Sequence, residues 1–166
     1  MKTVYSIGHS NHTISQFCNL LHDHKIDYLI DIRSVPFSRY YPQFNQKPFM
    51  EVMEKENIQY IFLGNELGGR IKDTTCYKNH TIPTIKNGYA MFLNYDVIKT
   101  KEWFTLGIQK IYSLVENGIC AIMCSEENPE KCHRELIVGR KLKEDGYSLI
   151  HIRTNKSITP QLALFE

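Results

Sequence analysis

Residues 118–123 (GICAIM) form an unbroken apolar run that ends at Cys124. A strand with one face in water alternates polar and apolar residues, whereas a run without alternation belongs to a strand covered on both faces. Such a strand requires helices packed above and below its sheet, which confines the chain to layered α/β architectures. Residues 3–7 (TVYSI), 27–35 (DYLIDIRSV), 58–63 (IQYIFL) and 147–152 (YSLIHI) read as four further strands. Helical spacing separates them. Thr13 is placed to cap a helix with Ile14, Phe17, Leu20 and Leu21 on one face, Pro48 opens a short helix with Phe49, Val52 and Met53, and residues 89–97 and 103–115 repeat the helical pattern. The alternation predicts a single α/β domain with a mostly parallel five-stranded sheet flanked by helices, a Rossmann-like three-layer fold with right-handed crossovers.

A chain of 166 residues suits one domain, expected over residues 1–154 with a tail at 155–166, and is too short for an eightfold α/β barrel. The hydrophobic fraction of 42% and charged fraction of 23% are those of a soluble globular protein, and no apolar run approaches the length of a membrane span. Without an apolar leader near the N-terminus, and with five cysteines in no tandem framework, the chain reads as a cytoplasmic protein with reduced thiols and no membrane partner. A net charge of +2 does not by itself argue for nucleic acid.

The local distribution of charge says more. His9-Ser10, Asp31 with Arg33, Gly68-Gly69-Arg70, Cys124 with Glu126, and Arg153 all fall at or just after the carboxyl ends of the five expected strands. In open α/β sheets ligands gather at that edge. Residues 33–45 interleave Arg33 and Arg39 with Phe37, Tyr40, Tyr41 and Phe44, a mixture that suits phosphates and stacked bases or, equally, a rigid structured loop. Asn128 as N-cap and Pro129 at the first helical position predict a helix from Pro129 to near Gly146, with Cys132, His133 and Arg134 around its second turn.

With SIGHSNHTISQF, DIRSVPFSRYYPQFN, LGNELGGR and MCSEENPEKCHR in view, the chain resembles the domain-of-unknown-function family 488 from about residue 6 to residue 151. The motifs match in order and type: Gly8-His9-Ser10; Asp31 and Arg33 with Pro36, Ser38, Arg39, Phe44 and Asn45; Leu67-Gly68-Gly69; and Cys124 and Glu126 followed by Cys132-His133-Arg134. The resemblance implies that these residues form the site and leaves the reaction open.

Cys124 is the candidate nucleophile, because a thiol beside a helix N-terminus and arginines has its thiolate favoured; otherwise it is a small buried apolar residue. Glu126 could act as general base or hold Arg33 or Arg134 in place, and His133 and His9 could move protons, bind a phosphate oxygen or simply be hydrogen-bonded structure. Arg33, Arg39, Arg70 and Arg134, with Ser10 and Asp31, would make an anion site if they converge on one crevice. Paired with Asp31, Glu66, Glu126 or Glu135 they would instead form an ion-pair network. Zinc on Cys124, Cys132, His133 and His9 is disfavoured, since adjacent residues on a regular helix point about 100° apart, so no cofactor is expected. Three functions remain open: a phosphate-handling enzyme acting on nucleic acid or nucleotide, a noncatalytic nucleic-acid-binding module using the arginines with Tyr40, Tyr41 and Phe44, and a thiol redox or sulfur-transfer protein using Cys124 and Cys132.

The tail adds a partner. Gln161-Leu162-Ala163-Leu164-Phe165 resembles the pentapeptide with which many bacterial polymerases and repair proteins dock on the sliding clamp. In such a peptide Leu164 and Phe165 fill an apolar pocket while Gln161 sets the orientation; the other use of these side chains is packing on the domain itself.

Overall fold

A computed structural model describes residues 2–85 and 88–154. The tail with Gln161, Leu162, Leu164 and Phe165 lies outside the described residues. Five strands, β1 (Thr3–Gly8), β2 (Tyr28–Asp31), β3 (Gln59–Phe62), β4 (Cys120–Cys124) and β5 (Ser148–Ile152), form one all-parallel sheet in the order β3-β2-β4-β1-β5. β4, the apolar run, is buried along its whole length and sits in the middle, between β1 and β2.

Helices cover both faces. On one, α1 (Ile14–Asp23) and α2 (Gln46–Lys55) pack Phe17, Leu21, Phe49 and Met53 against Ile7, Leu29 and Met123 of the sheet. On the other, α5 (Glu102–Val115) and α6 (Arg140–Glu144), with the short helices α3 (Gly64–Leu67) and α4 (Tyr95–Ile98), enclose Val4, Ile30 and Ile122 together with Phe104, Ile108, Ile111 and Leu142. Each such side chain contributes about 1.5–3 kcal/mol by leaving water. α1 starts where its capping chemistry puts it: Thr13 Oγ1 accepts from Gln16 N (3.1 Å), and the Gln16 side chain accepts from Thr13 N (3.0 Å). No helix among the described residues is long and apolar enough to cross a membrane.

The strand order creates a switch point. From β1 the chain passes over β4 to reach β2, and from β4 it passes over β1 to reach β5, so the connections leaving the two central strands diverge. The crevice they open lies at the carboxyl ends of β1 and β4, where ligands bind in such sheets. The two strands stay paired past their ends: His9 N donates to Cys124 O and Ser10 N to Ser125 O, both at 2.9 Å.

Local helix boundaries depart from the sequence expectation in three places. Residues 89–97 divide into a 3-10 turn at Tyr89–Phe92 and the short α4, with Leu93 extended between them. α2 begins at Gln46, not Pro48; Pro48 fits within the first turn, where its missing N–H would have had no partner. More consequentially, no regular helix runs from Pro129. Pro129–Lys131 form a single 3-10 turn, Cys132 is extended (φ −101°, ψ 143°), and Arg134–Gly139 form a π-helix before α6. Asn128 does cap, accepting from Glu130 N at 3.0 Å, but it caps only that turn. The break frees Cys132 to turn inward instead of following the helical screw.

Candidate active site

Cys124 ends β4 with only 5% of its surface exposed. The loop that follows is drawn over it by backbone contacts that leave no room for side chains. A Cβ on Gly8 would stand 1.9 Å from Glu126 O, so only glycine lets β1 and this loop pass. Arg134 holds the loop from beneath: its guanidinium donates to the carbonyls of Glu126 and Glu127, and its Nε donates to Ser6 Oγ at 3.2 Å.

His133 and Cys132 complete the centre. His133 Nδ1 lies 3.8 Å from Cys124 Sγ and 3.8 Å from Cys132 Sγ, while Nε2 is 2.9 Å from Ile32 O. A carbonyl only accepts, so Nε2 carries the proton and Nδ1 faces the sulfurs. The ring fits its slot because Gly69 flanks it; a Cβ there would meet His133 Cγ and Nδ1 at 2.9 Å. The two cysteines are driven apart electrostatically. A hydrogen bond from Cys132, followed by the charge of His133 and of Arg134, holds the Cys124 thiol well below the usual thiol range despite its burial. Burial and the neighbouring Cys124 sulfur push Cys132 well above it. Burial opposes charge on His133, but Cys124 and the Ile32 carbonyl outweigh it and raise its pKa. Burial and then Cys124 also raise the carboxyl of Glu126.

His9 is 1% exposed and stacked on Phe44 at 4.5 Å. Its Nδ1–H donates to Ser10 O at 2.9 Å, and burial followed by the charge of Arg33 pushes its pKa down to about 4. It is therefore neutral near pH 7, with a lone pair on Nε2. That Nε2 is buried and has no hydrogen-bond partner among the described residues.

An open cleft of about 1080 Å³ lies over this centre, lined among others by His9, Cys124, Glu126, His133, Arg33, Arg39 and Arg70. The structure thus brings together all four expected catalytic residues and three of the four arginines, but those arginines differ in kind. Arg33 is 4% exposed and forks onto Asp31, Nε to Oδ1 at 2.9 Å and Nη2 to Oδ2 at 2.6 Å; Asp31 also accepts from Arg33 N and from the Tyr60 hydroxyl. Arg39 and Arg70 are exposed at the cleft and make no ion pair among the described residues, Arg70 lying 5.7 Å over the Tyr89 ring.

Three expectations need correcting. Arg134 is not an anion-binding residue of the cleft: it is 1% exposed and its donors are taken by the Ser6 hydroxyl and two carbonyls. Ser10 and Asp31 do not line the cleft either; Ser10, at φ 44°, positions His9, and Asp31 is fully buried against Arg33. Among the aromatics Phe44 is a core residue, whereas Phe37 and Tyr40, 61% and 75% exposed, line the cleft. Sequence reasoning also missed Tyr60, whose hydroxyl braces Asp31, and the half-buried chain Ser6–His151–Glu135, with contacts of 2.6 and 3.0 Å. A serine inside the apolar run of β1 was the available signal for the latter; nothing marked Tyr60 or Tyr89.

The family model described as Domain of unknown function DUF488 matches residues 13–140. No curated protein and no solved structure matches the chain.

Proposed function

The chain belongs to the family Domain of unknown function DUF488, and from its cleft we propose that it is an enzyme acting on a phosphate-bearing substrate, nucleic acid or nucleotide. The observation that carries this reading is the presence in one cleft of two exposed arginines, Arg39 and Arg70, without an ion pair among the described residues, beside a buried sulfur–imidazole centre at Cys124 and His133. Guanidinium forks match phosphate oxygens, and the exposed rings of Phe37 and Tyr40 offer faces on which bases stack. His9 Nε2 accepts a proton or hydrogen bond from the substrate, and Glu126, with its raised pKa, exchanges a proton at the same floor. Titratable groups with shifted pKa values gather at reaction centres more than elsewhere.

The test is a binding titration with single-stranded DNA, duplex DNA, RNA and nucleotides at several salt concentrations. Affinity that falls steeply with salt supports a phosphate-tracking cleft, and absence of binding to all four probes rejects it. Cys124→Ser then separates the enzyme from a noncatalytic binding module: turnover of the bound probe is lost in the variant while binding survives. A module that only binds turns over nothing even as wild type. The disulfide version of the thiol redox or sulfur-transfer reading requires Cys124 and Cys132 to pair, and mass spectrometry after mild oxidation discounts that version if they never do. The tail supplies the location in this proposal, with residues 161–165 docking on a bacterial sliding clamp. A peptide spanning residues 157–166 should bind the clamp, and Leu164→Ala with Phe165→Ala should abolish that binding.

A further inference from the structure

The geometry points to a metal site: we propose that Cys124, Cys132 and His133 bind one zinc ion, with the fourth coordination position open to the cleft. This stands on the side-chain arrangement alone and holds whatever the cleft binds.

The sulfur atoms of Cys124 and Cys132 and a ring nitrogen of His133 all lie within 4.8 Å of one another, and each sulfur is 3.8 Å from Nδ1. A tetrahedral zinc with Zn–S near 2.3 Å and Zn–N near 2.0–2.1 Å separates its sulfur and nitrogen ligands by roughly 3.5 Å and its two sulfurs by roughly 3.8 Å. Both sulfur–nitrogen separations therefore stand within a few tenths of an ångström of that tetrahedron's S–N edge, and the two sulfurs are no more than 4.8 Å apart. The objection that adjacent residues cannot share an ion applies to a helix, and Cys132 is not helical.

The surroundings support the same use. A ligating histidine usually donates its other N–H to a carbonyl or carboxylate, which fixes the tautomer and aims the lone pair. His133 does this through Ile32 O at 2.9 Å, leaving Nδ1 for the metal. All three ligands are buried, and two thiolates neutralise a divalent cation, so the loaded site carries no net charge into the interior. Thiolate and imidazole together select zinc over magnesium or calcium, which take oxygen ligands.

No fourth Cys, His, Asp or Glu joins the group among the described residues. Three protein ligands with one open position are the pattern of catalytic zinc, whereas structural zinc is closed by four. Cys124, Glu126 and His133 all line the cleft, so the open position would hold a water or a substrate oxygen there.

The experiment uses the untagged chain of 166 residues. After equilibration with zinc and dialysis, elemental analysis should find one zinc per chain. Replacement by Co²⁺ should give thiolate-to-metal charge-transfer absorption in the near ultraviolet and the intense visible bands of a tetrahedral ion. Cys132→Ser and His133→Asn should lose these signals, and Cys18→Ala, which alters a buried cysteine of α1, should keep them. Should those variants fail to fold, alkylation of the wild type with and without zinc decides, with zinc slowing modification of Cys124 and Cys132. A wild type that retains no zinc and gives no cobalt bands overturns the proposal, as does zinc-dependent protection that spares both of these cysteines.

Discussion

Arg33 and Arg134 differ from Arg39 and Arg70 in almost everything except side-chain chemistry. The first two are buried, and their donors are engaged by Asp31 and by the Ser6 hydroxyl with the Glu126 and Glu127 carbonyls. The second two are exposed along the cleft and without an ion pair among the described residues. A buried charge persists when a counter-charge or several hydrogen bonds balance it, so its partners define it as part of the frame; an exposed guanidinium keeps its donors for a ligand. Arg33 is instructive because it does both. It lines the cleft, yet its charge is balanced by Asp31, so it can orient a ligand while adding little net attraction.

Asp31→Ala separates the two pairs of arginines most directly. It strands Arg33 and deprives the Tyr60 hydroxyl of its acceptor, and removing one partner of a buried pair costs about 3–5 kcal/mol. Denaturant melts should register that loss; a variant as stable as wild type would mean that Arg33 is not part of the frame. Arg134→Met comes next, with a loss on the order of 3 kcal/mol, because two loop carbonyls and Ser6 lose their donor together. A fall in phosphate affinity without a fall in stability would instead move Arg134 into the ligand-binding set.

Arg39→Ala and Arg70→Ala should each leave stability within about 0.5 kcal/mol of wild type. In the titration each should flatten the slope of log affinity against log salt by about 0.7–0.9, the contribution of one phosphate contact. An unchanged slope in both variants would remove these arginines from the binding surface.

The smallest effect concerns His151, whose pKa is lowered by burial, a shift opposed by Glu135 and aided by the charge of Arg134. The unfolded chain takes up this proton near pH 6.5; the folded protein takes it up only at lower pH. The stabilisation is therefore fully present above about pH 6.5 and declines as pH falls toward the folded value. Stability measured from neutral to mildly acidic pH should drop less in His151→Gln than in wild type. If Arg134→Met leaves the His151 titration, followed by NMR, where it is in the wild type, Arg134 is not acting as a fixed charge beside it.

Comparison of these regions also separates what could be read locally from what could not. The apolar run of β4, the alternation of strands with helices, the Thr13 cap and the placing of His9, Arg33 and Cys124 beyond strand ends are all carried by neighbours within a few residues. Each therefore survives in the amino-acid order. In that order Arg134, in an expected helix, and Arg39, in a loop interleaved with aromatics, were both expected to serve one anion site. What distinguishes them is that residues 125–128 fold back over one and not the other.

The amino-acid order determined a doubly covered parallel sheet and the edge at which its chemistry collects, because periodicity and capping act over one or two turns. Tertiary structure decided the strand order β3-β2-β4-β1-β5 and the burial of Asp31 and Arg134. It also decided the break at Cys132 that brings a second sulfur to Cys124. Burial and partner choice depend on segments far apart in the chain, and a favourable contact inside the fold outweighs the few tenths of a kcal/mol by which a residue prefers one local conformation.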